Sequence, residues 1–412
     1  MNRTKPSADP NWKKQIALFL ISQNVSLFGS SVVGYALIWH ITLETSSGTW
    51  MMLATICSTL PQVLISLFGG VWADRYNRKH LIMLADGFIA LATLLLAAAF
   101  LTGFQPMWLL LVILAVRSAG AGVQAPAVGA IYPQLVPAEH LTRVQGVDQT
   151  LASVLLLLSP AIGGAVLGTM GIVWTFFIDV GTAAVAIAIM GTIRVERQKR
   201  REEPLSMAAD IRQGLSYVFS HPQLQRIVIC YVFSFFLLTP AAVLSPLMVE
   251  RTFGSEVWRL TANEIVWTVG SLIGGVFVSL RKTFRNKVRT AAICLVGFGV
   301  CFALLGVSWN FFAFLAFMCI SGFFMPVIST TQTVYIQEIT EPEVLGRVFS
   351  IVQIISASAM PAAILLFGPL ADVISVESIL LVTGALLALV GIVYGCTGRS
   401  APHANDAGSK ES

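Results

Sequence analysis

Three carboxylates and one guanidinium sit inside stretches that are otherwise almost wholly apolar: Asp86, Asp179, Glu264 and Arg117. A charge held in such a segment is costly, so it must face a cavity or an opposite charge. A carboxylate whose surroundings change between two conformations can take up a proton in one and lose it in the other. Arg117 cannot carry that proton, because guanidinium stays charged, but it can hold a carboxylate ionised. Arg117, Asp179, Asp86 and Glu264 are therefore the candidate coupling residues. Other chemistry lacks its parts. His40, His80, His140, His221 and His403 fall at helix ends, in loops or in the tail, so a membrane enzyme is the poorest reading. The six cysteines form no CxxC and have no histidine near them, against a metal site or a disulfide framework. No G-x-x-x-x-G-K-[ST] loop occurs, so direct ATP coupling is not expected, nor is any cofactor.

The elements that must carry these residues are membrane helices. Of 412 residues, 56% are hydrophobic and 11% charged, and mean hydropathy is +0.79. A soluble domain has about 25% charge, and disorder needs more charge and fewer apolar residues. A helix needs about 20 apolar residues to cross a bilayer. Twelve such stretches are predicted, near 15–41, 50–73, 81–102, 107–128, 147–169, 172–193, 224–249, 262–280, 290–307, 309–336, 348–371 and 378–396. Residues 290–337 carry no charge and break at Ser308-Trp309-Asn310, which predicts a tight hairpin. No alternating strand pattern appears, so the fold class is all-α and polytopic. The basic start resembles a signal peptide, but its apolar stretch is too long and reads as an uncleaved first helix.

Orientation follows from Lys and Arg. With the N-terminus inside, all 26 basic residues except Arg117, Arg251 and Arg259 fall on the inner side. That bias predicts a plasma-membrane protein with both termini cytoplasmic. The small, uneven net charge of +5 implies no nucleic-acid partner. Expected domains are an N-terminal six-helix bundle (1–193), a cytoplasmic linker (194–223) with a short surface helix over 208–219, a C-terminal bundle (224–396) and a cytoplasmic tail (397–412). The halves echo each other at a shift near 205. Gly69-Gly70-Val71 faces Gly274-Gly275-Val276, and Ser159-Pro160-Ala161 faces Met360-Pro361-Ala362. Six helices per half is an even number, so the repeats are parallel.

Three motifs then carry a resemblance. Gly70-Val71-Trp72-Ala73-Asp74-Arg75-Tyr76-Asn77-Arg78-Lys79 resembles the G-x-L-a-D-r-x-G-r-k loop of the major facilitator superfamily. Asn77 stands for the second glycine, as a residue that tolerates a left-handed turn. The resemblance implies a gate that begins at Gly70: Asp74 faces the positive end of helix 11, and Arg75, Arg78 and Lys79 add charge partners. Leu155 to Gly164, LLLLSPAIGG, resembles the antiporter motif of helix 5, with Ser159, Pro160, Gly163 and Gly164 at its core. Ile113-x-x-x-Arg117-Ser118-Ala119-Gly120 resembles the helix-4 arginine motif. The wording overall is similar to the macrolide-efflux branch of drug exporters. This implies two parallel six-helix repeats, with helices 1, 4, 7 and 10 on the cavity.

On those helices the polar and aromatic residues are Gln23, Asn24, Tyr231, Phe235, Phe236, Phe323 and Gln332. An apolar, aromatic cavity with few fixed charges suits a bulky amphipathic ligand. The function expected is secondary active export of such a molecule, macrolide-like, in exchange for protons, by a monomer surrounded by membrane lipid. A siderophore or lysolipid exporter of the same fold is the alternative. By depth, at about 1.5 Å per residue, Asp179 reaches Arg117 more easily than Asp86 does.

Overall fold

The computed structural model describes residues 11–193, 216–281, 284, 286–341 and 344–397. Among them are twelve long helices and no strand. They are α1 (Trp12–Thr45), α2 (Gly48–Arg75), α3 (Arg78–Leu101), α4 (Met107–Leu135), α5 (Leu141–Met170), α6 (Ile172–Thr192), α7 (Pro222–Phe253), α8 (Val257–Leu280), α9 (Lys287–Leu305), α10 (Phe311–Ile339), α11 (Leu345–Leu370) and α12 (Val376–Thr397). Helices are the outcome because every backbone group in hydrocarbon must be bonded within its own segment. The shortest has 19 residues and the longest 34, about 29–51 Å at 1.5 Å per residue. All twelve are long and apolar enough to cross a bilayer, so this is a multi-pass membrane protein. Exposed Leu84, Phe88, Leu91 and Leu95 give α3 a continuous apolar stripe for lipid.

Most helices overrun the apolar stretches that predict them. α4 continues to Leu135 and α5 begins at Leu141, because polar turns extend both helices past the apolar window. The hairpin at residues 306–310 is present, and Asn310 caps α10 by accepting from the Ala313 N–H at 2.8 Å. Asn77 does not use the left-handed conformation expected of it. Its φ is −70°, and its side chain caps α3 by accepting from the Lys79 N–H at 3.0 Å. Of the surface helix expected over 208–219, only 216–219 are described, and they are helical.

The chain divides into two compact units. One holds Met1–Ser46, Trp50–Glu203 and Ser255–Thr261; the other holds Ser47–Thr49, Pro204–Gly254 and Ala262–Ser412. Within the first, α1 packs on α4, α5 and α6, and α3 on α4 and α6. Within the second, α7 packs on α10, α11 and α12, and α9 on α10 and α12. The same five pairings recur six helices later, so the internal repeat is one of packing as well as sequence. Its glycines repeat too. A Cβ on Gly69 would sit 2.6 Å from the Gly122 carbonyl of α4, and one on Gly274 would sit 2.2 Å from the Phe323 carbonyl of α10. Neither Gly70 nor Gly275 has an atom within 4 Å of its Cβ position. In each unit the first glycine of the pair is the one that lets the helices touch.

Ser47–Thr49 join the second unit through Asp372, in the turn between α11 and α12. Its carboxylate accepts from the Gly48 and Thr49 N–H groups at 2.7 and 2.9 Å, and from the Ser47 and Thr49 hydroxyls at 3.0 and 2.6 Å. Arg251 pairs with it at 3.3 Å. Partial burial pushes this carboxyl up, but the hydrogen bonds from Thr49, Gly48 and Ser47 outweigh it and hold the pKa at about 2.

Candidate functional site

The first unit is layered along its helices. One apolar cluster gathers Leu37, Leu96, Leu110 and Phe176. A second, toward the other helix ends, gathers Phe19, Ile82, Ile131 and Met190. Between the two, on α1, α3, α4 and α6, lies a slab of buried polar side chains.

That slab has two tiers. In the first, the Arg117 guanidinium of α4 pairs with the Asp179 carboxylate of α6 and donates to the Thr93 hydroxyl of α3. It also reaches the Ser30 carbonyl of α1 at 3.3 Å. Thr93 and Ser30 donate to Asp179 at 2.8 and 3.2 Å. Asp179 therefore has a cation and two hydroxyls around it, at 1% exposure of its side chain. In the second tier, Ser26 and Gln124 both donate to one oxygen of Asp86, each at 2.7 Å. The other oxygen of Asp86 has no hydrogen-bond partner, and no cation pairs with this carboxylate among the described residues. The tiers are seven residues apart on α3 (Asp86, Thr93) and on α4 (Arg117, Gln124), two helical turns or about 10 Å.

A cavity of about 400 Å³ opens beside the slab. Gln23, Asn24, Ser26, Arg117, Gln124 and Asp148 are among its lining residues, so the expected Gln23 and Asn24 lie with Arg117 on one wall system. Asp86 and Asp179 stand behind the lining. The Asn24 amide donates to the Leu20 carbonyl at 2.9 Å and, more distantly, to Asp148 at 3.4 Å.

In the second unit, Tyr231, Phe235 and Gln332 line a pocket of about 50 Å³. The Tyr231 and Phe235 rings stack at 5.7 Å. Phe236 and Phe323 are elsewhere: Phe236 packs on Phe367 of α11, and Phe323 on Phe277 of α8. Glu264 is half-buried on α8, and its carboxylate has no hydrogen bond or ion pair among the described residues.

The basic residues of the α2–α3 loop do work not foreseen for them. Arg78 donates to the Ala130 carbonyl of α4 at 2.8 Å and to Ala73 at 3.0 Å. Lys79 donates to the Gly191 and Ile193 carbonyls, at the end of α6, both at 2.7 Å. The Ala73, Gly191 and Ile193 carbonyls lie at C-terminal helix ends, where the dipole is negative, whereas Ala130 lies further inside α4. Arg75 is exposed. Asp74 lies in the last turn of α2, but its side chain is outside the described residues, as are residues 342–343 before α11. On α5, Ser159, Pro160, Gly163 and Gly164 are buried. A Cβ on Gly163 would sit 3.3 Å from the Val32 carbonyl, so this stretch allows α5 to lie close against α1.

Ser26, Ser30, Thr93 and Gln124 were not singled out from the sequence, and Asp148 is legible there only as an acidic residue at the inner end of helix 5. Their signal was there in part: Ser22, Ser26 and Ser30 recur every four residues on α1, one face of a helix.

The chain as a whole has known relatives. Macrolide efflux protein A of Streptococcus pyogenes is 29% identical over 387 residues, 93% of this chain and 96% of that protein. Multidrug efflux pump Tap of Mycolicibacterium fortuitum is 23% identical over 395 residues, 92% of this chain and 94% of that one. Among solved structures, a bacterial homologue of the iron transporter ferroportin in an inward-facing state matches with a TM-score of 0.72 at 15% identity. It covers 93% of this chain and 99% of that one, a likeness of fold. The family model described as Major Facilitator Superfamily matches residues 19–362. With twelve helices in two repeating sets of six and a match over most of its length, the chain belongs to the Major Facilitator Superfamily.

Proposed function

We propose that this protein exports a bulky amphipathic molecule of the macrolide kind in exchange for protons, by alternating access, as a monomer in the plasma membrane with both termini cytoplasmic. The observation that carries the coupling is the two-tiered slab beside the cavity. Arg117 pairs with Asp179, with Thr93 and Ser30 completing its surroundings. Asp86 has two hydrogen-bond donors but no cation among the described residues, so we assign it as the carboxylate that carries the proton. Ser26 and Gln124 both bond Asp86 and line the cavity, so they connect it to the space where substrate and water enter. The apolar surroundings and the stacked Tyr231 and Phe235 suit a large, weakly polar ligand. The names of the relatives, macrolide and multidrug efflux proteins, point the same way.

The test is transport into proteoliposomes holding purified protein, with a macrolide as substrate and an imposed pH gradient. Accumulation should require the gradient and vanish with an uncoupler. Accumulation that ignores both would refute proton coupling.

A further inference from the structure

The first unit's cavity has an unbalanced charge. Arg117 lines it, but its charge is answered by Asp179. Asp86 lies behind Ser26 and Gln124. That leaves Asp148 of α5, half-buried and the one acidic residue on the lining. Among the described residues no cation pairs with it. Its hydrogen bond from Asn24 is long, 3.4 Å, and shared with the Leu20 carbonyl. The Tyr132 phenol lies beside it. Three neighbours have unmet capacity of their own, the Tyr132 phenol oxygen among them. The Asn24 carbonyl oxygen has no partner, and neither does the side-chain nitrogen of Gln23, a residue only 8% exposed.

Resting on the exporter reading above, we infer that this cavity binds the ammonium end of an amphipathic amine, with the cation on Asp148. The donors and acceptors define the ligand. The protonated amine directs its N–H to the Asp148 carboxylate, and the Asn24 carbonyl oxygen faces the same positive group. The Gln23 amide N–H donates to a hydroxyl or carbonyl of the ligand a short distance away. Leu27, Val128 and Ala152 give apolar wall for the adjoining skeleton. Asn24 precedes Ser30 by six residues on α1, about 9 Å, so the amine lies more than a helical turn from the Arg117 tier and its like charge. An anionic amphiphile would meet Asp148 as a repulsive neighbour, and a neutral one would leave it desolvated without a counter-ion.

Equilibrium binding to the purified full-length protein, without any gradient, tests this. The probes are a macrolide bearing a dimethylamino sugar, the same macrolide N-demethylated and then acylated to a neutral amide at that nitrogen, a dye bearing an alkyl tertiary amine, and the dye's neutral amide analogue. Each amine should bind at least about tenfold more tightly than its neutral counterpart, the scale of a charged hydrogen bond. Asp148→Asn should bring each pair to near-equal affinity, while Asp148→Glu keeps the preference. If neither amine outbinds its neutral counterpart on the unmodified protein, or if Asp148→Asn keeps the preference, the inference is wrong. Loss of gradient-driven export with the amine preference intact would instead fault the proton-coupling reading.

Discussion

The Arg117–Asp179 pair allows a worked prediction. Its side chains are 9% and 1% exposed, so neither charge has bulk water to fall back on. Arg117→Met leaves the Asp179 carboxyl without its counter-ion, with only Thr93 and Ser30 donating to it. Asp179→Asn leaves the guanidinium with the Thr93 hydroxyl and the Ser30 carbonyl. Each single change strands a buried charge and should cost about 3–5 kcal/mol. The double variant Arg117→Met/Asp179→Asn strands none and should lie within about 1–2 kcal/mol of the parent. A double-mutant cycle should therefore give a coupling of about 3 kcal/mol or more. Reversible unfolding in mixed micelles, followed by tryptophan fluorescence, measures all four corners. Single changes costing under about 1 kcal/mol, with an additive double, would refute the reasoning. The cavity would then be wet enough to solvate both ions.

Other outcomes follow from the same geometry. Asp86→Asn should abolish substrate-induced proton release from purified protein while substrate still binds; release that persists would move the proton site elsewhere. Lys79→Met should cost about 1–2 kcal/mol by removing two charged bonds to the end of α6, whereas exposed Arg75→Ala should stay within about 0.5 kcal/mol by the same unfolding assay. Gly274→Ala should destabilise by about 1–3 kcal/mol through its clash with the Phe323 carbonyl, and Gly275→Ala should be close to neutral in thermal melts. The carboxyl of Asp372 is lowered on folding, so its stabilising contribution is complete above the usual carboxylate range and fades as pH falls toward about 2. The stability gap between the parent and Asp372→Asn should accordingly be full at about pH 5 and shrink below about pH 4.

What could be read from the sequence was whatever depends on length along the chain. Span number, the two halves and the depth match of Arg117 with Asp179 need only counting, because a bilayer fixes helix length. Facing could not be read. On α1 the four-residue spacing of Ser22, Ser26 and Ser30 marks a shared face, but the helix is apolar nearly all round, so nothing tells which neighbours that face meets. The same blindness put Phe236 and Phe323 with Tyr231 and Phe235, although they point to α11 and α8. Arg78 and Lys79 look like simple topological signals, and the carbonyls they bond, at Ala130 and Gly191, lie 52 and 112 residues away. Asn77 fits a family motif as a turn former but caps a helix here, a role its residue type allows equally.

The order in which the slab's charges are made has a consequence for how the protein is assembled. Asp179 follows Arg117 by 62 residues, roughly 3–12 s of synthesis at about 5–20 residues per second. Throughout that interval α4 holds an arginine at mid-span with no counter-ion yet made. α4 alone is thus a poor guest for lipid and must wait at the insertion machinery, or against α3 through Thr93, until α6 emerges. The loop basics impose the same deadline, since Lys79 finds its carbonyls only at Gly191 and Ile193. The first six helices therefore mature together on release of α6, and a nascent chain stalled before residue 179 should be handed to membrane quality control as an incomplete, orphaned charge.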